Sequence, residues 1–250
     1  MPASSASTLD PQEVENFEAM AHDWWQPDGA FKALHLLNLP RLQFIRQQIT
    51  RSHTLNMANP LKPYEGLKMI DIGCGGGILT EPLARSGADI TGIDAGYQTI
   101  EAARTHAALQ NLTIDYRQST AEECAARSTQ YDVVIAMEVV EHVADVSSFI
   151  EALSQLAKPN GLVILSTLNR TFKSYGMAIL GAEYILRMIP RGTHDWHKFL
   201  TPAELARHGR SAGLALQDVQ GIRFRPLTYD FVLHADLDVN YLLCAQKILA

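Results

Sequence analysis

The residues best suited by type and spacing to do chemistry form the run Lys68-Met69-Ile70-Asp71-Ile72-Gly73-Cys74-Gly75-Gly76-Gly77. Glycine lets the backbone approach a ligand closely at positive φ, and the free N–H groups opening a following helix supply donors, so the run suits a nucleotide-type cofactor. A glycine-rich turn that holds nothing is the plainer alternative. A dinucleotide fingerprint requires G-x-G-x-x-G, and counting from Gly73 and Gly75 brings Ile78 to the third glycine position. That register fails. Asp71 instead gives Asp71-x-Gly73-x-Gly75-x-Gly77, which suits a cationic, phosphate-free ligand such as S-adenosylmethionine, whose methionine ammonium a carboxylate can hold through ordered hydrogen bonds. Asp94 closes Thr91-Gly92-Ile93-Asp94, 21 residues beyond Gly73, where an acidic side chain can take both ribose hydroxyls of either cofactor or simply cap a strand. Cys74 has no base beside it in the motif and reads as a small packing residue.

Two acid–base clusters follow. Glu138, Glu141 and His142 stand just past the apolar run 132–137, where the carboxyl edge of a parallel sheet would open on a ligand crevice. His142 could serve as a general base near neutral pH. The same three residues could equally begin a helix as cap and surface charge. Further on, Gly192-Thr193-His194-Asp195-Trp196-His197 forms a loop that could close over a substrate, with His194 a second base candidate or else a hydrogen-bonded structural histidine.

The elements that must position these groups are legible from residue 67 onward. Short β-branched runs alternate with helical patterns there, the signature of βαβ units and a parallel sheet. Strands are expected at 67–72, 89–93, 113–117, 132–137 and 162–167, with helices near 79–86, 97–109, 120–127 and 146–157. Further strands at 216–221 and 240–246 complete a doubly wound, Rossmann-like α/β fold with a seven-stranded, mostly parallel sheet. Ser119-Thr120-Ala121-Glu122 and Thr201-Pro202-Ala203-Glu204 read as capping boxes opening helices. Upstream, Asp10-Pro11-Gln12-Glu13 opens an amphipathic helix carrying Val14, Phe17, Met20 or Ala21 and Trp24 on one face, a second helix covers 39–49, and 51–65 reads as a connecting loop. The expected organisation is a tail and helical extension over 1–65, then one domain over 66–250 with a helical insertion at 170–192.

Composition narrows the function classes. With 250 residues, 47% hydrophobic and 19% charged, the chain can bury one sizeable core, which excludes global disorder. Its formal charge of −6 lacks the electropositive footprint of a nucleic-acid groove, so no nucleic-acid partner is expected. Cys74, Cys124 and Cys244 are widely spaced and form no CxxC, which disfavours a disulfide framework or thiolate metal site and fits a reducing, cytoplasmic setting. Neither a secretion signal nor a membrane span is expected.

The series as a whole resembles the class I methyltransferases, and more narrowly the bacterial ubiquinone-biosynthesis O-methyltransferase family. The narrower resemblance rests on Phe17-Glu18-Ala19, Trp24-Trp25, Phe31-Lys32-Ala33-Leu34-His35, the glycine run through Leu79, Met137 to Val143, Ser166 to Arg170, Gly181-Ala182-Glu183-Tyr184-Ile185-Leu186-Arg187 and Gly192-Thr193-His194-Asp195. It implies S-adenosylmethionine contacts at Arg41, Gly73, Asp94 and Met137; physically, Arg41 could pair with the methionine carboxylate or be a surface charge, and Met137 could pack on the adenine or methionine chain or belong to the core. One departure is Leu39-Pro40, where the family more often has Pro then Leu before the Arg. Related eukaryotic members use the Glu-x-x-Glu-His pattern as divalent-metal ligands, which implies Mg²⁺ or a similar ion on Glu138, Glu141 and His142 here; carboxylate oxygens suit such a hard cation. The implied reaction methylates phenol and catechol hydroxyls of polyprenylated precursors, with other ubiquinone-biosynthesis proteins as partners; the alternatives are a methyltransferase for another small phenolic or carboxylate acceptor and a non-catalytic lipid-binding peripheral module.

A polyprenyl tail gives meaning to the mostly apolar stretch 174–189, flanked by Arg170, Lys173 and Arg191. As a helix it would reach about 24 Å, short of the roughly 30 Å hydrocarbon core, so it cannot span a bilayer. It could lie in the interface of the cytoplasmic membrane's inner face, with Glu183 and Arg187 on a narrow polar side, or cover the active site as a lid.

Overall fold

The β-branched and aliphatic runs form the strands expected of them. A computed structural model describes residues 14–15, 18–26, 28–29, 31–53, 55, 59–176 and 196–248. Strands β1 (Lys68–Ile72), β2 (Asp89–Asp94), β3 (Asp115–Gln118), β4 (Tyr131–Met137) and β5 (Ala157–Leu168) pair in parallel in the order β3-β2-β1-β4-β5. Beyond β5, the sheet continues antiparallel through β8 (Asn240–Lys247), β6 (Leu214–Arg225) and β7 (Asp230–His234). The connecting helices are α2 (Thr80–Arg85), α3 (Tyr97–Leu109), α4 (Ala121–Ala125), α5 (Val146–Leu156) and α6 (Pro202–Ser211), preceded by the long α1 (Lys32–Ser52).

Period-two alternation divides the core between the two sheet faces. On β4, Val133, Ile135 and Met137 join Phe44, Ile45 and Ile49 of α1 and Leu83 of α2 on one face. Val134 and Ala136 join Phe149, Ile150 and Leu153 of α5 and Leu205 of α6 on the other. Because the chain winds from β1 outward to β2 and then back across to β4, the carboxyl ends of β1 and β4 flank a topological switch point, where doubly wound sheets open a ligand crevice.

Several elements depart from the sequence reading. The sheet has eight strands, because 230–234 pairs with β6 as a half-buried edge whose five residues show no alternation that sequence could reveal. Strand β5 begins at Ala157, with Lys158-Pro159-Asn160-Gly161 forming an irregularity: pairing jumps from Tyr131↔Ala157 to Val133↔Leu162, and Asn160 takes φ 61°. Helix α1 starts at Lys32, before the expected 39, and runs straight through a buried Pro40, since the packing of Leu37, Phe44 and Ile45 outweighs the backbone donor proline lacks. The box opening α4 is Thr120 with Glu123, one residue later than expected. In the N-terminal helix Val14, Glu15, Glu18 and Ala19 are helical, but the chain then tightens into a 3₁₀ turn at Ala21–Asp23, which sends Trp24 and Trp25 to separate partners. Pro11 and Phe17 lie outside the described residues, as do 177–195, which hold most of the expected insertion.

Candidate functional site

The glycine run forms the turn between β1 and α2, as its spacing predicts. Gly73, Gly75 and Gly77 all have positive φ, at 66°, 55° and 88°. Gly77 is further constrained because any Cβ there would collide with the Tyr116 hydroxyl. Asp71 lies in β1, 2% exposed, and accepts a hydrogen bond from Thr80 Oγ1 at 2.6 Å. Burial raises its pKa to about 7, against the opposing pull of the Thr80 hydrogen bond and the nearby Arg41 guanidinium. Asp94, half-buried at the end of β2, accepts from Gly75 N at 3.1 Å through Oδ2 and from Gly96 N at 2.9 Å through Oδ1. It therefore ties the glycine turn to the turn after β2. Desolvation raises its pKa and the two backbone donors oppose that rise. Cys74 is buried with its thiol pKa pushed well up, which fits a packing role.

The second cluster gathers at the end of β4. Met137 closes that strand, 8% exposed. Glu138 follows at φ 51°, a conformation most side chains avoid. Its carboxylate takes an ion pair from Arg41 of α1 and a 2.6 Å hydrogen bond from Ser166 Oγ of β5. Glu141 sits on a 3₁₀ turn, Val140–His142, 3% exposed, with Oε2 accepting from Thr167 Oγ1 at 2.8 Å. Burial raises its pKa to about 6. Its Oε1 is buried without a hydrogen-bond partner among the described residues.

These observations sort the expected residues. Asp71, Gly73, Gly75 and Asp94 converge on one turn. Arg41 is drawn to the same region by Glu138. The reading of Glu141 as surface charge is overturned: it is buried, and the next helix, α5, starts later with Asp145 as its own cap. A Mg²⁺ site is not formed by Glu138, Glu141 and His142 as they stand, because Arg41 and Ser166 engage Glu138. Among the described residues no three His, Cys, Asp or Glu side chains are arranged to hold a metal ion. His194 and Asp195 lie outside the described residues.

The sequence assigns no role to Thr80, Ser166 or Thr167, whose hydroxyls hold the three carboxylates, or to the indole of Trp25, and places Trp24 only on an apolar helix face. Trp25 Nε1 donates to Gly76 O at 2.9 Å, and its ring stacks on His106 of α3 at 3.4 Å between centroids.

A family model described as a methyltransferase domain matches residues 42–219. Among curated proteins, the chain is 52% identical to a ubiquinone biosynthesis O-methyltransferase of Cereibacter sphaeroides, over 98% of this chain and 99% of that one. It is 48% identical to one of Azorhizobium caulinodans, over 98% and 97%. Among solved structures, magnesium protoporphyrin IX methyltransferase of Synechocystis with bound SAM matches over 98% of this chain and 100% of that one, with a TM-score of 0.62 at 19% identity. A possible histamine N-methyltransferase of Thermotoga maritima matches over 94% and 99%, also at TM-score 0.62, with 16% identity. At such identities these two structures show the shared fold alone.

Proposed function

Because this chain belongs to the methyltransferases, and within them to the ubiquinone-biosynthesis O-methyltransferases, we propose that it is an S-adenosylmethionine-dependent enzyme that methylates phenol and catechol hydroxyls of polyprenylated ubiquinone precursors, 2-polyprenyl-6-hydroxyphenol and 3-demethylubiquinol. The observation that carries the reading is the convergence of two carboxylates on one glycine turn at the switch point of the sheet, Asp71 held by Thr80 and Asp94 by the Gly75 amide. When bound, S-adenosylmethionine supplies an activated methyl group. The chain's own part is to hold the cofactor, align the acceptor oxygen in line with the methyl carbon, and take the phenolic proton. Asp71 would hold the methionine ammonium and Asp94 the ribose hydroxyls, with Met137 at the end of β4 beside them.

A phenol of pKa about 10 needs help to attack at neutral pH. Glu141, whose buried Oε1 has no hydrogen-bond partner among the described residues and whose pKa burial raises to about 6, is ionised above that pH and accepts the proton, with His142 beside it. A divalent cation is a second reading, favoured only by that unpartnered oxygen. It would require Glu138 to leave Arg41, and no step is routed through it. Turnover lost in EDTA and restored by Mg²⁺ would support the cation; full turnover in EDTA would retire it.

The stretch 174–189 is proposed to lie on an anionic membrane surface and admit the polyprenyl tail. Among the described residues no helix is long and apolar enough to cross a membrane. Tyr184→Glu with Ile185→Glu should release the protein from anionic liposomes, and retained sedimentation would favour a lid instead.

Calorimetric titration tests the cofactor. The expected result is binding of S-adenosylmethionine and its demethylated product with no binding of NAD; the reverse pattern overturns the reading. Asp94→Ala should weaken cofactor binding about tenfold or more, the scale of hydrogen bonds to a charged group.

A further inference from the structure

The glycine turn is not bare. The indole of Trp24 lies flat on it: a Cβ on Gly76 would stand 2.5 Å from Trp24 Cγ, and one on Gly75 would collide with the far edge of the same ring. On its other side the ring stacks on Phe31, 3.7 Å between centroids and 3° from parallel, and the residue is 6% exposed. The packing is aromatic and not polar, for Trp24 Nε1 is buried with no hydrogen-bond partner among the described residues. An unpaired buried donor is costly, so the ring's present place is a compromise that a competing ligand can relieve.

The segment that carries Trp24 reaches both ends of the cofactor crevice. At one end Trp25 Nε1 bonds Gly76 O, and at the other Glu18 accepts a 3.1 Å hydrogen bond from Gln98 N, beside the Gly96 amide that Asp94 holds. His35 Nε2 meets Trp24 O at 2.8 Å and fixes the bend between them. A ligand that touches both the glycine turn and Asp94 must pass beneath this strap, and the glycine faces it needs are covered by the ring.

We propose that Trp24 is a displaceable plug of the cofactor crevice: its indole occupies the surface of the glycine turn that the cofactor's amino-acid end must contact, and binding moves residues 18–25 outward. This rests on the S-adenosylmethionine reading above. A plug makes the binding-competent state a fraction of the population, and the apparent dissociation constant is raised by that fraction.

Removing the ring should therefore tighten binding. By calorimetry with S-adenosylhomocysteine, Trp24→Ala should bind roughly threefold tighter or better than the native chain, because the fraction taxed by the plug is restored. Weaker or unchanged binding overturns the plug, weaker binding meaning that the indole packs on the cofactor instead. A second measurement needs no folded alanine variant: saturating the native chain with S-adenosylhomocysteine should shift tryptophan emission to the red as Trp24 leaves its buried place, a shift missing from Trp24→Phe. Binding by the native chain without that shift also overturns the plug. A native chain that fails to bind S-adenosylhomocysteine at all defeats the cofactor reading itself, so the two failures are distinct.

Discussion

At the scale of single residues, the site holds three carboxyls, Asp71, Asp94 and Glu141, whose pKa values burial raises. Asp71, with its pKa raised to about 7, is half protonated near neutrality. A ligand ammonium favours the ionised form, so cofactor binding should release a proton and strengthen by about tenfold between pH 6 and pH 8, as the ionised fraction rises. Calorimetry across that range checks this, and Asp71→Asn should bind more weakly with a flat profile. In the free chain the sign is opposite. A carboxyl whose folded pKa lies above the unfolded value stabilises fully below the unfolded pKa of 3.8, and that contribution is lost as pH rises through about 7. Denaturation curves should therefore show stability falling by on the order of 2–4 kcal/mol between pH 4 and 7, with the slope reduced in Asp71→Asn.

Glu141→Gln, which keeps shape but cannot take a proton, should lower kcat about 100-fold while leaving the cofactor Kd unchanged, and the acidic limb of the native pH–rate profile should fall near pH 6. The convergence of Asp71, Gly73, Gly75 and Asp94 on one turn was legible because it depends on short spacings along the chain. The partners that tune them were not: Ser166 reaches Glu138 from 28 residues away and Thr167 reaches Glu141 from 26, contacts that only sheet pairing creates.

At the scale of elements, local signals decided most of what sequence could show. Thr201-Pro202-Ala203-Glu204 forms the capping box it resembles, with Thr201 Oγ1 accepting from Glu204 N and the Glu204 carboxylate accepting from Thr201 N. Thr201→Ala should cost about 1 kcal/mol and lower the melting temperature by roughly 2–4 °C in calorimetric scans. The box of α4 slipped by one residue because Ser119 and Thr120 are both good caps, each with a Glu three residues on, and only packing chooses Thr120. Both contribute in the end, since Ser119 Oγ also donates to Glu123. Strand β7 and the start of α1 were hidden for related reasons. An edge strand half-buried on every residue carries no period, and Pro40 looks like a helix boundary until Leu37, Phe44, Ile45 and Ile49 bury around it.

At the scale of the whole molecule, the sheet brings together what the chain separates. Asp71 and Asp94 stand on adjacent parallel strands with Asp71 paired to Gly92, while β4 and β5 deliver Glu138, Glu141, Ser166 and Thr167 on the other side of β1. Arg41 and Trp24 come to this crevice from outside the sheet, on α1 and the strap before it, and the fold alone would not have placed them there. On the proposed reading, one crevice serves cofactor, acceptor oxygen and proton acceptor together. The most direct measurement is a single-turnover assay with purified protein, methyl-labelled S-adenosylmethionine and a short-tailed polyprenylated catechol. Label is expected on a phenolic oxygen, with one S-adenosylhomocysteine released per methyl transferred. Tight binding of the cofactor with no label reaching an aromatic hydroxyl, or label on any other atom of the acceptor, would contradict that reading.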